Sequence, residues 1–266
     1  MRQAVRDNYT AFTSRFEGAV PWMYLDVKGL VTTGIGNLID SVGAAQALPW
    51  RHGQGGPLAS QDEIAQAWST VKGMQGSKML GGGNKVFQNA SDLRLDADGI
   101  RKLVNDKLNS NEAILLTRFP GFEAWPADAQ LGLLSMAWAM GPYFKFPKFE
   151  AAVNQLVPDF KAAAALSHMN AAGNPGLVPR NTANEALFNA AADVLKNNLD
   201  LATIQWDGFE DLLSKGTAAL SSGLKSGVAA AQAAGKVVQK QSKLFAGAAV
   251  LVGAAGAFAI YKGVKG

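Results

Sequence analysis

The chain has 266 residues, 48% hydrophobic and 17% charged, a balance that suits a core-burying fold and excludes a disordered or collagen-like chain despite 29 glycines. It has no cysteine, which excludes disulfide frameworks and thiolate chemistry, and its two histidines, His52 and His168, lie far apart without a ligand pattern. The net charge of +4 is uneven, because Gly216 to Gly266 carries six lysines and no Asp or Glu, leaving the rest of the chain near neutral.

Val5, Tyr9, Phe12 and Phe16 recur at helical spacing and predict an amphipathic first helix that stops near Gly18. Trp22 to Leu25 reads as a strand, Asp26 to Gly29 as a turn and Leu30 to Thr33 as the returning strand, before Gly34-Ile35-Gly36 bends the chain out. A Gly- and Pro-rich loop, Trp50 to Pro57, leads to Ser60-Gln61-Asp62-Glu63, a capping-box pattern opening a helix with Ile64, Trp68 and Val71 on one face. Gly81-Gly82-Gly83 breaks that pattern, and Ile100, Leu103, Val104 and Leu108 predict the next helix. Pro126 suits a first helical turn. Leu131 to Met140 is apolar on every side, as a buried helix is, and Gly141-Pro142 closes it. Further helical segments run to about Asp200.

From Ser214 onward Ala, Gly, Ser and Lys dominate. Leu220, Leu224, Val228, Ala231 and Val238 keep a helical spacing with lysines between them. Leu244 to Tyr261 carries no charge over 18 residues and is flanked by Lys243 and Lys262. As a helix it spans roughly 27 Å against a hydrocarbon core of ~30 Å. Residues 201–243 are therefore expected to be a linker or amphipathic helix, and 244–261 a transmembrane helix. The tail has no arginine and few aromatics, so nucleic acid is not an expected partner.

With thiolate and histidine chemistry set aside, acid–base work falls to carboxylates. Glu17 closes the first predicted helix, where the negative end of the dipole, together with Phe16, Trp22 or Tyr24 nearby, favours the protonated form that a general acid needs. Asp26 opens the hairpin turn, a solvated place where a carboxylate stays ionised. Thr32 on the returning strand is expected to project its hydroxyl beside Asp26. Two carboxyl groups in contrasting environments around one cleft suit glycoside hydrolysis. Taken singly, each has a plainer reading: a solvated helix-end Glu and a turn-forming Asp.

Glu17, eight residues, Asp26, five residues, Thr32 and then Gly34-Ile35-Gly36 resemble the active-site segment of the phage T4-type lysozymes and related endolysins. Asn37 stands where that family often has histidine. Ser135-Met136-Ala137-Trp138-Ala139-Met140-Gly141 resembles the family's buried central helix. Pro179-Arg180-Asn181-Thr182-Ala183 resembles the segment that supplies an arginine to the catalytic Glu. Strict alignment on Ala183 puts Thr182 at the arginine position, with Arg180 the nearest substitute.

The resemblance covers roughly residues 8–195, with a longer middle insert, Gly43 to Gly83. It implies an α+β, mostly α fold: a lysozyme-like domain over 1–200 with a small β-hairpin lobe and a helical lobe, followed by a helical tail. It also implies a muramidase that cuts the β-1,4 link between N-acetylmuramic acid and N-acetylglucosamine in peptidoglycan, without metal or cofactor. Glu17 is then the acid, and Asp26 with Thr32 steers a water in an inverting arrangement, with the carboxyl groups roughly 6.5–9.5 Å apart. Tyr24, Gly36, Asn37, Arg180 and Asn181 are the expected substrate-binding or supporting residues. The tail suggests a virion-associated enzyme that acts in the host periplasm during genome entry and engages the bacterial inner membrane through residues 244–261, alongside other virion proteins. An endolysin, an antibacterial effector, and a catalytically idle channel component of a virion are the alternatives.

Overall fold

The computed structural model describes residues 1–76 and 84–226. The Gly81-Gly82-Gly83 break, residues 227–243 and the expected span at 244–261 lie outside the described residues. Among those described, no helix is long and apolar enough to cross a membrane, so the expectation of a transmembrane helix finds no support among the described residues.

The chain is mostly helical with a small antiparallel sheet, as an α+β, mostly α fold requires. Helix α1 (Gln3–Glu17) buries Val5, Tyr9 and Phe12 and ends where Gly18 adopts φ +71°. Each of those three side chains contributes roughly 1.5–3 kcal/mol of apolar burial. Strands β1 (Val20–Leu25) and β2 (Val31–Gly34) form the expected hairpin, and β3 (Asn37–Leu38) adds a third, two-residue strand in the order β1-β2-β3. Tyr24 pairs with Thr32 and Leu25 with Val31.

The described part of the middle insert is folded. Helix α2 (Val42–Gln46) is followed by β4 (Arg51–His52), which pairs with β5 (Leu93–Arg94). Helix α3 (Gln61–Gly73) carries both halves of the capping box between Ser60 and Glu63, and its buried residues are Ile64, Ala67 and Val71. Its C-terminal end grips the hairpin turn. Lys72 Nζ donates to the Gly29 carbonyl at 3.1 Å and to Asp40 at 2.7 Å, and Gln75 reaches the same Gly29 carbonyl. Asp40 also accepts the Val31 amide at 2.9 Å. The Lys72 ammonium first, then that amide, hold the Asp40 carboxyl below the usual carboxylate range.

Helix α4 (Ala97–Arg118) is N-capped by Asp96, which accepts from the Gly99 amide at 2.8 Å. Over 22 residues it runs about 33 Å, touching β3 on the sheet side and α1 on the helical side. Helix α5 (Ala127–Met140) occupies the core, with Ala127 to Trp138 all buried, and Gly141 at φ +82° ends it. Pro126 is its N-cap. The polar residues on α5 bind the chain around it: Asp128 accepts the amides of Gln205 and Trp206 at 3.0–3.1 Å, and Gln130 donates to the Phe122 carbonyl at 2.8 Å. Helices α6 (Pro147–Val153), α7 (Phe160–Leu166) and α8 (Leu177–Asn197) complete the helical side, with α8 packed on both α5 and α7.

A last helix, α9, runs from 209 to 226, the last described residue of that stretch. It docks along α1. Phe209 is buried and stacks on Phe12 with ring centroids 6.5 Å apart. A Cβ at Gly216 would fall 1.8 Å from the Ala11 carbonyl oxygen, and one at Gly223 2.2 Å from that of Ala19. Only glycine permits two backbones to approach so closely.

Candidate active site

Glu17 is the last residue of α1, and the Gly18 amide caps the helix by donating to the Ser14 carbonyl at 2.9 Å. The turn at Gly18 hands the chain to β1, so the carboxyl group stands at the seam between the sheet and the helices. Its partner comes from 163 residues away: Arg180, on the first turns of α8, donates Nη2–H to Glu17 Oε1 at 2.5 Å. The guanidinium also donates to the Ser135 carbonyl and hydroxyl at 3.4 and 3.3 Å, and lies 4.6 Å from the centroid of Phe16. Its side chain is 1% exposed and that of Glu17 35%. One end of the pair is thus set in the core and the other faces outward. Thr182 is exposed and donates to the Val178 carbonyl, and it is Arg180 that meets Glu17.

Asp26 opens the hairpin turn and organises it. Its backbone amide donates to the Leu30 carbonyl at 2.9 Å, and its Oδ1 accepts the amides of Lys28 and Leu30 at 2.8 and 2.9 Å. Oδ2 has no such partner among the described residues. Strand alternation puts Tyr24, Thr32 and Asp26 on one face of the hairpin. Burial pushes the Tyr24 phenol up to about 12, and the charges of Asp26 and then Glu17 push the same way. One half-buried hydroxyl therefore feels both carboxylates, which brings the hairpin's Asp and the helix-end Glu into a common neighbourhood.

The other expected residues divide between frame and opening. The Thr32 hydroxyl donates to the Leu30 carbonyl at 3.2 Å. Thr33 faces the opposite way and donates to the Val20 carbonyl. Asn37 is buried: its Oδ1 accepts the Ile35 amide at 3.0 Å and its Nδ2 donates to the Leu103 carbonyl, tying the Gly-Ile-Gly turn to α4. Gly36, at φ +68°, has open space where a side chain would be. Asn181 is buried and clamps both backbone groups of Met169, at 3.0 and 2.8 Å, so it supports the loop before α8 and does not reach Glu17.

Four residues of this neighbourhood escaped sequence reasoning. Lys72 and Gln75 hold the turn that carries Asp26, and both come from the insert. Lys107 of α4 places its ammonium 3.9 Å from the centroid of Trp138 on α5. The charges of Glu17 and Arg180 both act on that ammonium. Trp138 was visible only as part of an apolar helix. Among the described residues no group of His, Cys, Asp and Glu side chains is arranged to hold a metal ion. The chain matches no protein-family model, no curated protein and no solved structure.

Proposed function

We propose that this chain is a muramidase with a lysozyme-like fold, hydrolysing the β-1,4 bond between N-acetylmuramic acid and N-acetylglucosamine in bacterial peptidoglycan. The observation that carries the reading is a helix-end Glu17, held by buried Arg180 and sharing the Tyr24 neighbourhood with hairpin Asp26. Arg180 engages Oε1 and fixes the plane of the carboxyl group, leaving Oε2 to deliver a proton to the glycosidic oxygen. Asp26 has one oxygen locked by turn amides, so its free Oδ2 has a defined direction in which to polarise a water. Attack by that water on the face opposite the departing oxygen inverts the anomeric centre. No step calls for a cofactor.

The test is release of reducing ends from purified sacculi. Glu17→Gln keeps the shape and an oxygen for Arg180, and is expected to abolish clearing. Asp26→Asn keeps the turn through its amide oxygen and is expected to lower the rate by about 10²-fold or more. Full lytic activity in E17Q would refute the assignment. The locked Oδ1 favours a second reading, in which Asp26 serves the turn and the sugar's own hydroxyl displaces the leaving group. Under that reading D26N stays active and the products carry anhydro ends lacking the added water, which mass analysis detects.

A further inference from the structure

Lys107 has an unusual position for a lysine. The residue is half-buried on α4, and its Nζ rests 3.9 Å from the Trp138 centroid. Trp138 is 5% exposed and is itself braced by Tyr9, 5.4 Å away between ring centroids. Burial is the leading influence on Lys107 and holds its ammonium below the usual lysine range, against the pull of the Glu17 charge. Among the described residues no carboxylate forms an ion pair with it. The carboxylate whose charge acts on it, Glu17, makes its ion pair with Arg180 through Oε1.

An ammonium carries three donors, and the face of one aromatic ring satisfies them only in part. The outward donors of such a half-buried cation are open to an anion, whose charge-assisted bonds repay its partial desolvation. The charges that act on it are those of Glu17 and Arg180, and among the described residues no carboxylate makes an ion pair with it. The anion is therefore expected from outside, at the mouth of the neighbourhood that holds Glu17. Peptidoglycan is rich in carboxylates: those of the stem peptides, and the lactyl group of muramic acid where the peptide is absent.

We propose that Lys107, held on Trp138, binds a substrate carboxylate beside Glu17 and makes the chain selective for anionic over neutral glycan. The inference rests on the muramidase reading for the identity of the substrate, and its binding arm stands apart from catalysis. Full-length wild type, Lys107→Met and Lys107→Arg are compared in steady-state cleavage of sacculi. The same changes in a Glu17→Gln background are compared in sacculus pelleting. Lys107→Met is expected to raise KM and weaken pelleting about ten-fold, with the loss on KM and not kcat, while Lys107→Arg keeps most of the affinity. Sacculi whose carboxylates have been converted to amides should bind wild type as weakly as untreated sacculi bind K107M. Amidase-stripped strands distinguish the sources: restored binding to them assigns the lactyl carboxylate, and lost binding the stem peptide. Equal affinity of K107M and wild type would overturn the proposal. So would a fall in kcat with a displaced pH profile, which would mean that Lys107 acts on Glu17. If wild type releases no reducing ends yet pelleting still depends on Lys107 and on carboxylates, the hydrolase reading fails and the anion site stands.

Discussion

Glu17 and Arg180 share one bond, yet removing either end should cost the fold different amounts. In Arg180→Met the freed carboxylate is 35% exposed and rehydrates, while methionine occupies the volume of the arginine stem. The losses are the bond to Glu17, the long contacts to Ser135 at 3.3–3.4 Å and the place over Phe16 at 4.6 Å. Against them stands relief from burying a charge. These terms nearly cancel, and the expected change is within about 1 kcal/mol. Glu17→Ala is a different perturbation, because it strands a guanidinium that is 1% exposed.

Breaking a fully buried pair in that way costs about 3–5 kcal/mol. Water entering where the exposed part of Glu17 stood lowers the expectation to about 2–3 kcal/mol. Glu17→Gln retains an acceptor for Nη2 and should cost only about 1 kcal/mol. The double variant E17A/R180M, with no stranded charge, should recover most of the E17A loss. Urea unfolding followed by circular dichroism measures all four. Equal destabilisation by R180M and E17A, or strict additivity in the double variant, would refute the asymmetry argument.

Gly216→Ala should favour helix α9 locally by about 1 kcal/mol and still undock it, because overpacking against the unyielding Ala11 carbonyl costs about 1–3 kcal/mol. Hydrogen exchange over 209–226 reports the outcome, and stronger protection in G216A would contradict the close-packing account. His52 sets its ring nitrogens 3.0 Å from Asp92 and 3.4 Å from Glu63, and the Asp92 bond chiefly raises its pKa. The folded state thus favours the protonated ring, a contribution complete below about pH 6.5 and lost as pH rises through the higher folded value. The stability gap between wild type and His52→Gln should therefore shrink from about pH 6 to about pH 8; a gap that holds constant would show that the imidazolium pair adds nothing.

What could be read from the sequence was what short-range physics dictates. The phase of Val5, Tyr9 and Phe12 with Gly18 gives α1, the Ser60–Glu63 box gives the start of α3, and the unbroken apolar run gives α5. Strand β3 and the β4–β5 ribbon escaped because two-residue strands have no period to detect. The grip of Lys72 and Gln75 on the hairpin escaped for another reason. Both partners are ordinary surface residue types, and the contact joins positions more than 40 residues apart. Lys107 belongs with them, since nothing in its neighbours on α4 marks one lysine as turned toward Trp138.

Arg180 lies between these cases, because the information that selects it is local and periodic. Aligning the segment by motif favoured Thr182, but the helix it sits on has its own phase. Leu187, Phe188, Ala191 and Val194 are apolar at helical spacing, and stepping back from Leu187 by turns arrives at Ala183, Asn184 and Arg180, all of them buried. The same steps leave Thr182 on the solvent side, where it is found. A charged residue on the buried side of such a helix needs either an opposite charge or a full set of hydrogen bonds, since a lone interior guanidinium would be costly. Helical phase thus turns Arg180 inward, and in the structure it meets the carboxylate at the end of α1, whereas the motif alone points one turn-face away.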